Sequence, residues 1–309
     1  MLRASLLYLS EQKQVFTFVR RNPLAKKFAS RFVAGETLDT AVAAVRELNA
    51  KQISASLDLL GESVSTKDEA QQAADTAIRM LERIAADKLD ANISVKLTQF
   101  GLDLDAALCI ANTTRMLERA RALNIFVRID MESSAYTERT LELVEQSLYP
   151  KFPQHVGVVV QSYLYRTRQD VPRLNDLGMR VRLCKGAYKE PPSVAYPAKA
   201  DVDKAYADLM ATLIEHGNYP GIATHDEALI AQARSFVQAK AIPLDRFEFQ
   251  MLYGVRRDLQ DMLVKAGYRM RVYVPYGTQW YPYLMRRLAE RPANIAFILG
   301  NVVKEGLHG

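Results

Sequence analysis

The run Ile53-Ser54-Ala55-Ser56-Leu57-Asp58-Leu59, the helical pattern from Lys67 to Asp87 and the run Asn92-Ile93-Ser94-Val95-Lys96-Leu97 decide how the chain is read. A short strand-like stretch, a segment of helical length and a second short stretch form one βαβ unit, and strands joined in that way run parallel. The alternation then repeats. Further strand candidates are Phe126 to Asp130, Val156 to Gln161, Arg180 to Leu183, Gly221 to Thr224, Phe247 to Met251 and Arg271 to Val274. Helical patterns lie between them: Asp105 to Ala122, Glu138 to Leu148, Asp201 to His216, Glu227 to Ala239 and Arg257 to Lys265. Eight such units in roughly 250 residues fit a closed (β/α)8 barrel. The alternative is a doubly wound α/β sheet, whose dinucleotide form wants G-x-G-x-x-G after an early strand, and no such run occurs. We therefore expect an α/β fold of the TIM-like (β/α)8 type over residues 51–309, with an N-terminal helical arm at 1–50 and a last helix near Ile295 to Val303.

Composition narrows the function classes. The chain has 309 residues, 49% of them hydrophobic, which is enough to bury one large core. The patch Leu6-Leu7-Tyr8-Leu9 is interrupted by Glu11 and Lys13 before it resembles a secretory signal, and no apolar run has membrane-spanning length, so we expect a cytoplasmic protein. Cys109 and Cys184 give neither a disulfide framework nor a zinc set, and we expect no metal. The formal charge of +6 favours an anionic ligand or membrane surface without demanding either. Without a nucleic-acid signature, the basic stretch from Arg20-Arg21 to Lys26-Lys27 reads as solvated surface or a lipid-facing patch rather than a nucleic-acid site.

A barrel gathers its chemistry where the strands run out at their C-terminal ends, and polar residues do collect there. They are Lys96, Asp130 with Glu132, Gln161, Arg182 followed by Lys185-Gly186-Ala187-Tyr188, Thr224-His225-Asp226, Gln250 with Leu252, and Tyr273. One more cluster follows, on the predicted helix carrying Tyr283, Arg286, Arg287 and Glu290, which lie three and four positions apart on neighbouring faces. Cations outnumber anions in this set. A guanidinium pair with a lysine suits a small carboxylate, and a Lys-Gly step suits a phosphate or electron-rich ring approaching the backbone. Tyr188, Tyr273 and Tyr283 supply flat walls for an aliphatic ring or planar cofactor.

The runs Val95-Lys96-Leu97, Ile129-Asp130-Met131-Glu132, Gln161-Ser162-Tyr163-Leu164, Arg182 to Tyr188, Ala223-Thr224-His225, Phe249 to Leu252 and Tyr283-x-x-Arg286-Arg287-x-x-Glu290 resemble the FAD-dependent proline dehydrogenases, in the expected order from about residue 50 onward. The length resembles that of the stand-alone bacterial enzymes. Some bifunctional relatives carry Trp after the Lys-Gly-Ala-Tyr run and Asn after Thr-His, where this chain has Lys189 and Asp226.

The resemblance implies a distorted (β/α)8 barrel that binds FAD without a dinucleotide fingerprint. It implies that Lys96, Arg286 and Arg287 hold the carboxylate of L-proline, that Tyr188, Leu252, Tyr273 and Tyr283 enclose its ring, and that Asp130 orients the site. Arg182 would face the flavin N5, and Met131, Gln161, Lys185, Gly186, Ala187, Thr224 and His225 would contact the cofactor, with Glu290 partnering one of the arginines. The implied product is Δ1-pyrroline-5-carboxylate. Electrons would pass to a membrane quinone, and the mild positive charge is compatible with peripheral docking at the inner face of the membrane. Without the resemblance, the residues also admit a Schiff-base lyase using Lys96 or Lys185, a metal hydrolase using His225, Asp226 and Asp130, and a binding protein led by the basic N-terminal region.

Overall fold

The computed structural model describes residues 29–61 and 64–290, the last three as backbone only. Eight parallel strands close on themselves in sequence order: β1 (Ser54–Leu59), β2 (Ala91–Val95), β3 (Val127–Ile129), β4 (Val156–Gln161), β5 (Arg180–Cys184), β6 (Gly221–Ala223), β7 (Glu248–Leu252) and β8 (Met270–Tyr276). Pairing of Ser54 to Leu59 with Arg271 to Tyr276 completes the ring. All eight expected strands are present, shifted at their ends by one or two residues. The expected last helix lies outside the described residues, as does most of the N-terminal arm.

Why the strands sit where they do follows from period-two alternation. One set of side chains is apolar and fully buried beneath the surrounding helices: Leu57, Ile93, Val127, Val158, Leu183, Ile222, Phe249 and Val272. The other set points into the barrel and is polar: Ser56, Asp58, Ser94, Arg128, Arg182, Glu248, Gln250 and Arg271 are all buried. Barrel interiors are ordinarily filled by branched aliphatics. Here the aliphatic core lies outside the barrel and a hydrogen-bonded polar core lies inside it.

Such a core needs room and partners. The Arg128 guanidinium stacks 4.7 Å from the Phe126 ring and donates to the Val158 carbonyl at 3.0 Å. A Cβ on Gly157 would meet it at 2.9 Å and the Arg180 carbonyl at 2.2 Å, so this strand position accepts only glycine without a backbone shift. A Cβ on Gly221 would likewise lie 2.4 Å from Gln250 Nε2. Glu248 accepts from Arg271 Nε at 2.7 Å and from Gln250 Nε2 at 2.6 Å. Burial pushes the Glu248 carboxyl up, but the Arg271 guanidinium outweighs it and holds the group at about 2. Burial and the nearby Arg182 and Arg180 charges push Arg128 well below the usual guanidinium range.

The helical shell follows its caps. Lys67–Ala86 starts at a capping box in which Thr66 Oγ1 accepts from the Glu69 amide at 3.2 Å and Glu69 accepts from the Thr66 amide at 3.1 Å. Leu38–Asn49 packs against β1 and β8. The segment expected as one helix from Glu138 begins earlier, as Ser134–Leu143, and finishes in a π turn over Val144–Leu148. Thr167–Asp176 is helical although Pro172 interrupts its pattern. The final described helix, Trp280–Glu290, lays Trp280, Tyr281, Tyr283, Leu284 and Met285 against Ala29, Val33 and Leu60.

Candidate active site

Six strands deliver charged or polar side chains to the C-terminal half of the lumen, and Asp130 is where Lys96, Arg182 and Tyr273 meet. Its Oδ1 accepts from Arg182 Nη1 at 2.7 Å, its Oδ2 accepts from the Tyr273 hydroxyl at 2.9 Å, and Lys96 Nζ lies 3.6 Å from that Oδ2. Lys96 also donates to Asp58 Oδ1 at 3.2 Å. Arg182 is fixed at its other donors by Ser94 Oγ at 3.2 Å and by Gln250 Oε1, and its guanidinium stands 5.5 Å from the Tyr273 ring centre. Lys96, Asp58, Asp130 and Arg182 are each less than a tenth exposed. Buried ions are tolerated only when paired and hydrogen-bonded, because desolvation alone costs several kcal/mol per ion. The network meets that condition and locks each head group in one direction.

Electrostatics within the network are uneven. Burial, and then the neighbouring Asp130 and Asp58 charges, push the Tyr273 phenol well above its usual range, so it stays a neutral donor. Asp58 is raised by its burial, opposed by the Lys96 ammonium and reinforced by Asp130.

Of the cofactor-side residues named from the sequence, Gln161 ends β4, Thr224 and His225 follow β6, and Met131 is buried just past β3. Gln161 Nε2 donates to the Glu132 carbonyl at 2.8 Å, and the Thr224 amide donates to the Gln250 carbonyl at 3.1 Å. His225 Nε2 accepts from the Leu252 amide at 2.9 Å, so a neutral imidazole there carries its proton on Nδ1. Lys185 donates to Asp203 at 2.6 Å and to Asp226 at 2.8 Å, which compensates its charge. The same ion pair engages Asp226, the residue a metal-hydrolase reading had needed. Gly186 has φ of +120°, and a Cβ there would lie 2.4 Å from the Tyr163 ring. This glycine therefore lets the turn after β5 rest on Tyr163, a packing reason where the sequence suggested approach to a ligand. Ala187 and Tyr188 follow in that turn.

The substrate-side residues come together from two directions. Leu252 pairs in register with Tyr273 at the ends of β7 and β8. Tyr283 and Tyr273 pack in one apolar cluster with Trp280 and Leu60. Arg287 lies 5.2 Å from the Tyr283 ring centre and Arg286 6.0 Å from that of Tyr188, so both guanidiniums sit on aromatic faces. The Glu290 side chain lies outside the described residues.

Sequence reading missed four residues of this site. Asp58 and Ser94 contact Lys96 and Arg182, Asp203 shares Lys185, and Glu190 accepts from the Ser134 amide at 2.7 Å, tying the loop after β5 to the helix after β3. For Asp58 a signal existed: with Ser54 and Ser56 it forms the polar phase of β1. A cavity of about 380 Å3 opens at the opposite end of the barrel, lined by Lys88, Asn92, Arg180 and Arg271. It is ringed by the C-terminal ends of Lys67–Ala86 and Ala106–Ala122, away from the network above.

A closed parallel barrel with a dense ionic network at the C-terminal ends of its strands is the frame of a (β/α)8 enzyme. The sequence pattern of the proline dehydrogenase family matches residues 41–299. Proline dehydrogenase 1 of Bacillus subtilis is 42% identical over 305 residues, 99% of this chain and 100% of that one. Proline dehydrogenase of Deinococcus radiodurans is 41% identical, with 98% of each chain covered. A crystal structure of proline utilization A from Bdellovibrio bacteriovorus, inactivated by N-propargylglycine, superposes with a TM-score of 0.81 at 25% identity, covering 91% of this chain and 34% of that one. The chain belongs to the proline dehydrogenase family.

Proposed function

We propose that the protein oxidises L-proline to Δ1-pyrroline-5-carboxylate, the first step of proline catabolism, with FAD as its redox cofactor and a membrane quinone as the final electron acceptor. The observation that carries this reading is the Asp130 junction, where one carboxylate fixes a lysine, an arginine and a tyrosine around one point of the lumen, in a chain of this family. Lys96, Arg286 and Arg287 hold the substrate carboxylate, and Tyr188, Leu252, Tyr273 and Tyr283 enclose the pyrrolidine ring.

The donor chemistry fits a flavin nucleotide. Arg182 is a buried, rigidly held cation suited to an electron-rich ring edge, while Gln161, Thr224 and His225 offer polar atoms on the same arc of strand ends and Lys185, its charge already met by Asp203 and Asp226, stands just past β5 between them. Met131, Gly186 and Ala187 complete that wall. When bound, FAD accepts the hydride that leaves the ring carbon next to nitrogen.

The chain's own residues position, desolvate and balance charge. Holding the carboxylate between Lys96 and the arginine pair fixes which face of the ring lies against Arg182. The apolar walls exclude water and favour the neutral amine, whose lone pair is needed as the iminium develops. Asp130 keeps Lys96, Arg182 and Tyr273 in register. The basic stretch near Arg20 suits an anionic membrane surface. No described helix is long and apolar enough to cross a membrane.

Proline-dependent reduction of a soluble quinone by the FAD-loaded protein tests the proposal. Turnover with L-proline, lost in Lys96→Met, is expected. No reduction with proline present would refute it.

A further inference from the structure

Asp58 ends the polar phase of β1, wholly buried, in register with Ser94 of β2 and Pro275 of β8. Its Oδ1 receives Lys96 Nζ at 3.2 Å, and its Oδ2 has no hydrogen-bond donor among the described residues. The same ammonium lies 3.6 Å from Asp130 Oδ2. Two carboxylates thus share one lysine away from water, and their support is unequal. Asp130 also accepts from Arg182 at 2.7 Å and from Tyr273 at 2.9 Å, whereas the one cation paired with Asp58 is the shared ammonium, with the Tyr273 hydroxyl as its neutral neighbour.

Carboxylates crowded around one site separate in proton affinity, and the one with fewer donors is the first to take up a proton. The charged and titratable groups facing Asp58 are Lys96 from β2, Asp130 from β3, and Tyr273 and Tyr276 from β8. Burial and Asp130 raise it, Lys96 and Tyr273 oppose, and the balance is upward. Both tyrosines are themselves raised by burial and stay neutral at ordinary pH.

We infer that Asp58 is a positioning residue for Lys96, and that it takes up a proton when a ligand carboxylate docks on that ammonium. The inference rests on the proposal that Lys96 receives the substrate carboxylate. With Asp58 ionised, Asp58 and Asp130 together cancel the charges of Lys96 and Arg182, and nothing is left over to attract an incoming anion. Protonating Asp58 leaves the four groups with one net positive charge and releases the ammonium toward the ligand. The proton comes from solvent and returns on release, so no bond of the substrate is altered. By linkage, affinity is greatest below the pKa of Asp58 in the ligand-free protein and falls as pH rises through that value.

Asn at position 58 keeps the size and the acceptor oxygen but fixes the neutral state. The test is titration calorimetry of cyclopentanecarboxylate, the carbocyclic analogue of proline without the amine, with the FAD-loaded protein in two buffers of different ionisation enthalpy from about pH 6 to 8.5, a range in which the ligand stays ionised. The expected result is proton uptake by the wild-type protein, with affinity falling by up to about tenfold per pH unit at the alkaline end. Asp58→Asn is expected to bind with no proton exchange, with a flat profile and with affinity above wild type at high pH. Binding without proton exchange in the wild-type protein overturns the inference, and this measurement stands alone if the variant does not fold. So does a variant that keeps the wild-type slope at uniformly weaker affinity, the signature of a merely structural aspartate. Unchanged binding in Lys96→Met would instead refute the carboxylate site itself.

Discussion

Arg182 Nη1 and Asp130 Oδ1 lie 2.7 Å apart in the barrel lumen, joining β5 to the end of β3 across 52 residues of sequence. The same carboxylate receives the Tyr273 hydroxyl and neighbours Lys96, so its removal leaves buried Arg182 without a counter-charge and Lys96 with Asp58 alone. Asp130→Ala is expected to lose about 3–5 kcal/mol of folding stability, measured by denaturant unfolding. Asp130→Asn keeps an acceptor for Tyr273 and is expected to fold better while losing most proline turnover. An Ala variant as stable as wild type would show that the junction holds nothing together.

The arginine pair makes a separate prediction. Arg286→Met and Arg287→Met each remove the guanidinium that lies over Tyr188 or Tyr283 while retaining much of the apolar stem. Each is expected to lower kcat/KM for proline by the equivalent of about 2–5 kcal/mol, the usual cost of truncating one partner of a desolvated charge pair. Wild-type efficiency in either variant would remove that residue from the site.

At the other end of the lumen, Glu248 makes acid stability the observable. Its carboxyl sits at about 2 instead of 4.5, so its contribution is fully present above the unfolded value and disappears as pH falls toward about 2. Glu248→Gln is expected to be less stable near neutrality and to lose less further stability than wild type between about pH 4.5 and 2. Parallel acid curves for the two proteins would contradict the ion pair with Arg271.

Gly157 is tested by a single methyl group. A Cβ there would meet the Arg180 carbonyl at 2.2 Å, and backbone yields less readily than a side-chain tip. Gly157→Ala is expected to cost about 1–3 kcal/mol as overpacking, read by chemical denaturation. A neutral effect would mean that the lumen is looser than its contacts indicate.

These predictions also mark what was legible in the sequence. The strands showed because Leu57, Ile93, Val158 and Phe249 recur with β period, and the strand ends carried Lys96, Asp130, Arg182 and Tyr273 openly. The interior polar core did not show. Arg128, Arg180 and Arg271 stand near strand starts, where a charge ordinarily meets solvent, and only closure of β8 onto β1 puts them in the lumen. Asp58 looked like one acid inside a strand until Lys96, 38 residues away, was seen against it. Lys185 meets Asp203 and Asp226 at separations of 18 and 41 residues, which no local spacing reveals. Helix Thr167–Asp176 was hidden by Pro172, and the turn carrying Gly186 owes its geometry to Tyr163, a contact set by folding.

The central claim is that this lumen brings proline against a flavin. Anaerobic addition of L-proline to the FAD-loaded protein tests it most directly by the absorbance of the oxidised flavin. The account predicts bleaching with proline and none when Lys96 is replaced by Met. A protein that cannot be loaded with FAD, or whose flavin colour persists at saturating proline, would contradict it.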